Sequence, residues 1–310
     1  MKIFTEFPEI DKDIKTVVTI GTFDGVHIGH SDLLRTVNTL SDNGKHKSVL
    51  VTFEPHPRTV VSEGYKIKIL TTLEEKAEVL ETYGIENIVV VNFTEKFSQL
   101  NAEEFIEKYL IQKLNPNHIV IGYDHKFGKD RKGDGAYLNS FSQKYNFTVT
   151  TVPAVKINSE TVSSTKIRNA LLAGDLENAN FYLARPYSLA GVVVPGAQRG
   201  RDLGFPTANV KPVDENKLIP KDGVYIVECS LDGDKFNGVL NVGSRPTFGD
   251  SVETVIEVHL FELNRDLYQS RINVNFLSRI RDEIKFSSKE DLIKQIKKDI
   301  DEANEFLKTN

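Results

Sequence analysis

A change of pattern near residue 186 constrains this chain more than any other feature. Before it, short β-branched runs alternate with helical stretches: Thr16–Ile20, Ser48–Phe53, Ile88–Val91, His118–Ile121 and Thr148–Val152. Each run is apolar and bounded by polar residues or glycine, which suits parallel strands buried on both faces. Between them, the helical pattern Thr72–Tyr83 stops at Gly84, a residue suited to the left-handed position after a helix. A second pattern, Asn101–Leu114, has Glu104 three residues after Asn101, a capping-box spacing, and sets Phe105, Ile106, Tyr109 and Leu110 on one face. Such alternation, with right-handed crossovers, predicts an α/β doubly wound parallel sheet whose ligands bind beyond the carboxyl ends of the strands.

From Ser188 onward strands follow strands: Leu189–Val194, Gly223–Leu231, Lys235–Val242, Glu253–Phe261 and Ile272–Leu277. Asp232–Gly233–Asp234 reads as a hairpin turn, so this part predicts an antiparallel β-barrel or sandwich. The chain closes on a helix, with Ser287 and Glu290 as its capping box and Leu292, Ile293, Ile296, Ile300, Ala303 and Leu307 as its apolar stripe. The expected domains are 1–186 and 187–310, and 310 residues suffice for two.

Charge narrows the partners. The 39 basic and 44 acidic residues give a net −5 with no basic arm, so neither bulk nucleic-acid binding nor a polybasic membrane anchor is expected. Cys229 is the only cysteine, which excludes an intrachain disulfide or a cysteine-rich zinc cluster. Its alternating surroundings, Val224–Ser230, read as a buried strand. The opening MKIFTEFPEIDKD carries acids and lacks the apolar core of a signal peptide, and no apolar run approaches the ~18 residues of a membrane span. The expectation is a cytoplasmic, soluble protein, a monomer or weak homo-oligomer.

The first strand runs straight into Gly21–Thr–Phe–Asp–Gly–Val–His–Ile–Gly–His30. Gly21 and Gly25 permit a tight turn and close approach to a phosphate, and Gly29 leaves space at the start of the next helix, whose N-terminus favours anions. His27 and His30 fall on one side of that helix, where two imidazoles can donate to phosphate oxygens that gain charge in a transition state. A lone His-x-x-His also occurs as a core or surface pair, or as half of a zinc site, although no cysteine or third histidine lies nearby in sequence to complete one. Further on, Val162–Ser–Ser–Thr–Lys–Ile–Arg168 opens a helix ending at Gly174. Its hydroxyls and Arg168 make either a second anion site or an ordinary helix start.

The second half carries Gly191–Val–Val–Val–Pro–Gly–Ala–Gln–Arg–Gly–Arg–Asp–Leu–Gly–Phe–Pro–Thr–Ala–Asn209. Gly196, Gly200 and Gly204 suit a loop whose amides meet phosphates, while Thr207 and Asn209 offer hard oxygens for Mg²⁺. Arg199 and Arg201 either join them or face water. No Gly-Lys-Ser/Thr follows, so the loop is not a Walker A motif. Glu257 shares a strand face with Val255 and His259, opposite Ile256, Val258 and Leu260. It is either solvated or a general base toward a sugar hydroxyl.

Together these segments resemble the prokaryotic bifunctional riboflavin kinase/FMN adenylyltransferase (FAD synthetase) family. Gly21–His30 resembles the His-x-Gly-His motif of nucleotidylyltransferases, and Ser163–Arg168 their Ser-Ser-Thr-x-Ile-Arg segment. The likeness extends to Thr52–Pro57, Leu70–Lys76, Ile121–Gly128, Gly191–Asn209, Gly223–Tyr225, Gly238–Phe248, Glu257–Phe261 and Ile280–Phe286. The resemblance implies that the first domain moves AMP from ATP to FMN, giving FAD and pyrophosphate. There Gly21, Thr22, Phe23, Asp24, Gly25, Gly29, Asp124, Ser163, Ser164 and Thr165 would bind nucleotide or flavin, and His27, His30 and Arg168 would be catalytic. The second domain would phosphorylate riboflavin with MgATP, with Gly196, Gly200, Gly204, Thr207, Asn209 and Arg281 at the ligands, Thr207 and Asn209 on Mg²⁺, and Glu257 as base. The sequence departs from the family pattern at His125 (usually Phe in Gly-x-Asp-Phe), Ser31 (commonly Gln) and Thr22 (commonly Asn). Three other readings stay open: an FAD synthetase with an inert second domain, a flavin-sensing regulator, and another nucleotidylyltransferase.

Overall fold

The computed structural model describes residues 1–41, 45–62, 64, 67–157, 159–196, 200, 203–246, 252–263, 265 and 267–309. Arg199 and Arg201 lie outside the described residues. The chain divides into two compact units, Met1–Ser164 and Thr165–Asn310.

The first unit contains, in chain order, β1 (Lys2–Phe4), β2 (Thr16–Ile20), α1 (Ile28–Leu40), β3 (Lys47–Glu54), α2 (Pro57–Val61), α3 (Leu73–Thr82), β4 (Asn87–Asn92), α4 (Glu95–Ser98), α5 (Ala102–Glu104), β5 (Pro116–Gly122), α6 (Gly135–Tyr145), β6 (Thr148–Val152), β7 (Lys156–Ile157) and β8 (Glu160–Thr161). Six of these strands form a parallel sheet in the order β1-β4-β3-β2-β5-β6. From β2 the chain winds outward through β3 to β4, then returns to the other side of β2 for β5 and β6. The direction therefore switches between β2 and β5, where doubly wound sheets hold their ligands.

Alternate residues serve the two faces. Val18, Ile20, Val49, Val51, Ile119 and Ile121 join one core with Phe105, Leu110 and Leu138, while Val17, Leu50, Ile88 and Val120 join another with Leu33, Leu34, Val37 and Leu80. The capping box of α3 is complete: Glu75 N–H donates to Thr72 Oγ1, and Thr72 N–H to Glu75 Oε2. At α5 only half of the expected box forms. Glu104 N–H donates to Asn101 Oδ1, but the Glu104 carboxylate pairs with Lys108. The chain then widens into a π-helix, Phe105–Leu114. Its buried Ile106, Leu110 and Leu114 recur every four positions beside Phe105, a row that α-helical winding would also bury, so the pattern does not announce the wider turn.

The second unit takes in α7 (Ser164–Ala173, from its second residue), α8 (Leu176–Leu183), β9 (Tyr187–Val194), β10 (Ala208–Pro212), β11 (Gly223–Leu231), β12 (Asp234–Pro246), β13 (Val252–Leu260), β14 (Arg271–Arg281) and α9 (Lys289–Thr309). The strands close into an antiparallel barrel, β10-β13-β12-β11-β14-β9. Strand β10 was absent from the sequence pattern: it is short, follows Pro206 and ends on Pro212. It closes the barrel by pairing Asn209 with both Val194 and Glu257. The β11–β12 hairpin has a two-residue turn, with Asp232 at φ 53° and Gly233 at φ 92°, the left-handed pair that matches strand twist. Helix α9 starts at Lys289, so its cap is Ser288, whose Oγ accepts from Asp291 N–H, rather than the expected Ser287–Glu290 pair.

Residues ahead of 186 pack on the barrel. Asn180 Nδ2 donates to Phe276 O at 2.9 Å, its Oδ1 accepts from Tyr187 N–H at 2.7 Å, and Lys221 N–H donates to Leu171 O at 3.0 Å. The compact second unit thus starts about one helix pair before the expected junction. A fragment Thr165–Asn310 is expected to melt above Tyr187–Asn310 by roughly 5–10 °C, because the shorter piece leaves buried groups without these partners. Scanning calorimetry of the two fragments checks this; equal melting temperatures would show that α7 and α8 add nothing to the barrel.

Candidate active sites

The turn from β2 to α1 lies at the switch point. Phe23 (φ 46°), Gly25 (φ 84°) and Val26 (φ 38°) are all left-handed, which strains a β-branched residue by ~1–3 kcal/mol. Asp24, buried at 3% exposure, compensates. Its Oδ1 accepts from Leu70 N–H at 2.8 Å and Thr71 N–H at 3.1 Å, and Gly25 N–H donates to Thr71 Oγ1 at 3.0 Å. Ser164 Oγ donates to Asp24 O at 2.8 Å, which ties Ser163–Ser164 to the same turn. The Leu70–Lys76 segment is therefore the scaffold of the turn, a role that its sequence did not disclose.

His27 caps α1, and its ring stacks on that of His30, with centroids 3.8 Å apart and planes 17° apart. His27 N–H donates to His30 Nδ1 at 3.3 Å. An accepting Nδ1 places the hydrogen of a neutral His30 on Nε2. Burial foremost, then His27 and Lys76, hold His30 well below the usual imidazole range, so it is neutral at physiological pH. A Cβ on Gly29 would lie 2.9 Å from His27 Cε1 and Nδ1, so glycine is needed there for ring clearance.

Across the switch point, β5 ends at Gly122 and turns through Asp124, which is exposed, and His125, whose N–H donates to Gly122 O. The His125 ring stacks on Phe127 at 5.7 Å and 24°. Burial lowers its pKa to about 4, opposed by Asp124 and assisted by Arg131. Thr165 is exposed and Arg168 half-buried; both lie on α7 within the second unit.

In the barrel, Asn209 on β10, Glu257 on β13 and Asn241 on β12 stand in one cross-strand row. Directly opposed residues share a face, with Cβ atoms ~4.5–5.5 Å apart. Glu257 and His259 are half-buried while Ile256, Val258 and Leu260 are buried, as alternation requires. His259 Nδ1–H donates to Pro206 O at 2.8 Å and its ring meets Phe205 edge-on, so it holds the approach to Thr207. A Cβ on Gly196 would fall 1.9 Å from Asn209 Nδ2, and one on Gly200 would fall 2.3 Å from Phe205 O and 3.0 Å from Thr207 Oγ1. The glycines thus let the loop close against Thr207 and Asn209, while Gly204 takes a left-handed φ of 85°. The sequence pattern puts His259 on the face of Glu257 and includes Asn241 in the Gly238–Phe248 segment, but it gives neither a role. Arg281 donates from Nε and Nη2 to the carboxylate of Asp299 at 2.9 and 2.7 Å, so its guanidinium fastens α9 to β14.

A parallel-sheet unit of the nucleotidylyltransferase kind is thus joined, in one chain, to a barrel with a glycine loop beside a carboxylate. The family model described as FAD synthetase matches residues 9–166, and that described as riboflavin kinase matches 183–307. The bifunctional riboflavin kinase/FMN adenylyltransferase of Listeria monocytogenes is 37% identical over 296 residues, which cover 95% of this chain and 93% of that protein. The protein of that name from Escherichia coli K12 is 36% identical, with 94% and 92% covered. A solved structure described as a macrolide-efflux protein from Streptococcus pneumoniae shares 32% identity at a TM-score of 0.88, covering 97% of this chain and 98% of that one. The chain belongs to the bifunctional riboflavin kinase/FMN adenylyltransferase family. Among the described residues, no helix is long and apolar enough to cross a membrane.

His125 yields a pH prediction. The folded residue binds its proton near pH 4, an unfolded one near 6.5. The unfolded chain therefore binds more protons between those values, and the first unit loses stability as pH falls through that interval. His30 acts in the same direction. Replacing His125 with Phe is expected to flatten the decline of melting temperature between about pH 6.5 and 4. Parallel melts of parent and variant across that range check it.

Proposed function

We propose that the first unit transfers AMP from ATP to FMN and the barrel phosphorylates riboflavin, with the chemistry divided near residue 186. The chain is a bifunctional riboflavin kinase/FMN adenylyltransferase by family. The observation that carries the residue assignment is the stacked His27–His30 pair, with His30 neutral, at the N-terminus of α1 and at the sheet's switch point. In this reading an FMN phosphate oxygen attacks the α-phosphorus of ATP, the bond to the β-phosphate oxygen breaks, and pyrophosphate leaves. That nucleophile is already ionised and needs no base. His30 donates Nε2–H to phosphate oxygen, His27 joins it, and the α1 N-terminus with the Gly21–Gly25 turn adds amide donors. Ser163 and Ser164, tied to the same turn, serve the same reaction, and Asp124 serves the ligand crevice.

In the barrel the nucleophile is a ribityl hydroxyl, which must lose a proton. Glu257 accepts it as the hydroxyl oxygen bonds to the γ-phosphorus and ADP departs. Thr207 and Asn209 supply the hard oxygens that suit Mg²⁺, held in place by the close contacts with Gly200 and Gly196. Bound there, Mg²⁺ neutralises charge on the phosphates. Arg281 serves this unit through α9 and Asp299, and the reactions belong in the cytoplasm.

Chromatography of a riboflavin–MgATP reaction over time should show FMN rising first and FAD following. No FMN would reject the kinase assignment, and FMN without FAD the adenylyltransferase one. Replacing His27 or His30 with Ala is expected to lower FAD formation by ~10²–10³ with FMN formation unchanged; equal loss of both would point to misfolding. Glu257→Gln keeps size and hydrogen bonding but removes the proton acceptor, so FMN formation should fall by ~10²–10⁴ while FAD formation from added FMN persists. A kinase rate within a few-fold of the parent would reject the base.

A further inference from the structure

Lys76 on α3 lies beneath the β2–α1 turn at only 4% exposure. Its Nζ donates to Thr22 O at 2.9 Å and to Thr52 Oγ1 at 3.2 Å, and Thr52 Oγ1 donates to the same Thr22 carbonyl at 3.1 Å. One ammonium therefore joins α3, β3 and the turn that carries the histidine pair. Withdrawing a charge from water is costly, and a methionine would fill similar volume, so packing alone does not call for lysine here. Burial lowers its affinity for a proton, while the carboxylates of Asp24 in the turn and Glu54 at the end of β3 oppose that effect. Its charge also disfavours protonation of His30 on α1. Asp24 is already engaged by two backbone amides.

We propose that Lys76 is a positioning residue of adenylyl transfer, tying the Thr22 carbonyl to the sheet and setting a buried positive charge beneath the turn that receives a nucleoside triphosphate. This rests on reading that turn as the triphosphate site. A carbonyl dipole facing phosphate would repel it, and the ammonium absorbs that dipole. The same charge disfavours protonation of His30, so that ring offers its Nε2–H without bringing a second proton into the pair.

The test uses the full chain, with FMN formation by the barrel reporting intact protein. Lys76→Met removes the charge and both bonds, whereas Lys76→Gln keeps a donor for Thr22 O without the charge. Losing a hydrogen bond from a charged group predicts a rise of about tenfold or more in KM for MgATP in FAD formation for both variants. In Lys76→Met kcat should fall as well, with FMN formation within about twofold of the parent. The His30 imidazole, followed by NMR, should titrate closer to its ordinary value in both. An unchanged KM with an unmoved His30 titration would overturn the proposal and leave a structural lysine. If the parent makes no FAD from FMN, the adenylyltransferase reading fails on its own. The MgATP concentration that shifts the His30 signal then decides the matter: about tenfold higher in Lys76→Met supports it, equal values overturn it. Should both Lys76 variants melt below assay temperature, Thr52→Val replaces them, since it leaves the ammonium on Thr22 alone. It is expected to raise KM about threefold with little change in melting temperature, and an unchanged KM overturns the proposal.

Discussion

Asp24 Oδ1 accepts the backbone N–H groups of both Leu70 and Thr71, and this contact keeps the β2–α1 turn in a conformation its own residues disfavour. Phe23 and Val26 are left-handed, and neither would stay so alone. With the turn fixed, Gly25 N–H reaches Thr71, Phe23 packs beside His30, and α1 starts with His27 at its cap. The residues that make the β2–α1 turn are therefore supported by a segment some 46 positions away in sequence and contributed by the approach to α3. That support explains why a turn under strain can hold two rings in face-to-face contact: the strain is offset outside the site, by bonds that no ligand needs to break.

The barrel reaches the same rigidity by other means. Its candidate groups stand on paired strands, where register rather than a turn sets the spacing. Asn209, Glu257 and Asn241 are fixed by three antiparallel neighbours, β10, β13 and β12. Just before β10, His259 holds Pro206 O, and Gly196 lies close against Asn209. A side chain at Gly196 would have to displace Asn209, and one at Gly200 would crowd Thr207. The buried thiol of Cys229, its pKa raised to about 12 mainly by burial, takes no part.

Much of this was legible because local pattern and tertiary role coincide. Thr16–Ile20, buried throughout, and Thr148–Val152, at the sheet edge, are strands with those bounds, since short β-branched runs have no competing helical periodicity. The Thr72–Glu75 box was legible for the same reason. Where packing decides, the sequence was silent. The π-helix at Phe105–Leu114 shares both its composition and the four-residue spacing of its buried Ile106, Leu110 and Leu114 with an α-helix. Strand β10 is short and flanked by proline, so only its partners β9 and β13 define it. At the sites, His27, His30 and Glu257 were visible as residues, but the roles of Leu70, Thr71 and Lys76 were not. Their contacts with the turn are made across the fold, and no spacing along the chain encodes them.

The contrast between the two sites follows from their nucleophiles. A phosphate monoester enters the first site already anionic, so a free carboxylate there would only repel it. The one carboxylate in that turn, Asp24, is buried, bonded to two amides and opposed by Lys76, so its charge is compensated before any ligand arrives. Neutral imidazoles then suit the task, because they donate hydrogen bonds without needing to gain a proton from the nucleophile. An alcohol enters the second site neutral and must be deprotonated as it reacts, which requires an acceptor that stays ionised at neutral pH. Glu257, half-buried beside Asn209 and Asn241, is the carboxylate proposed for that role. Exchanging the two sets would fail in both directions: a carboxylate facing two phosphates raises the barrier by repulsion, and an imidazole that only donates leaves the ribityl proton in place.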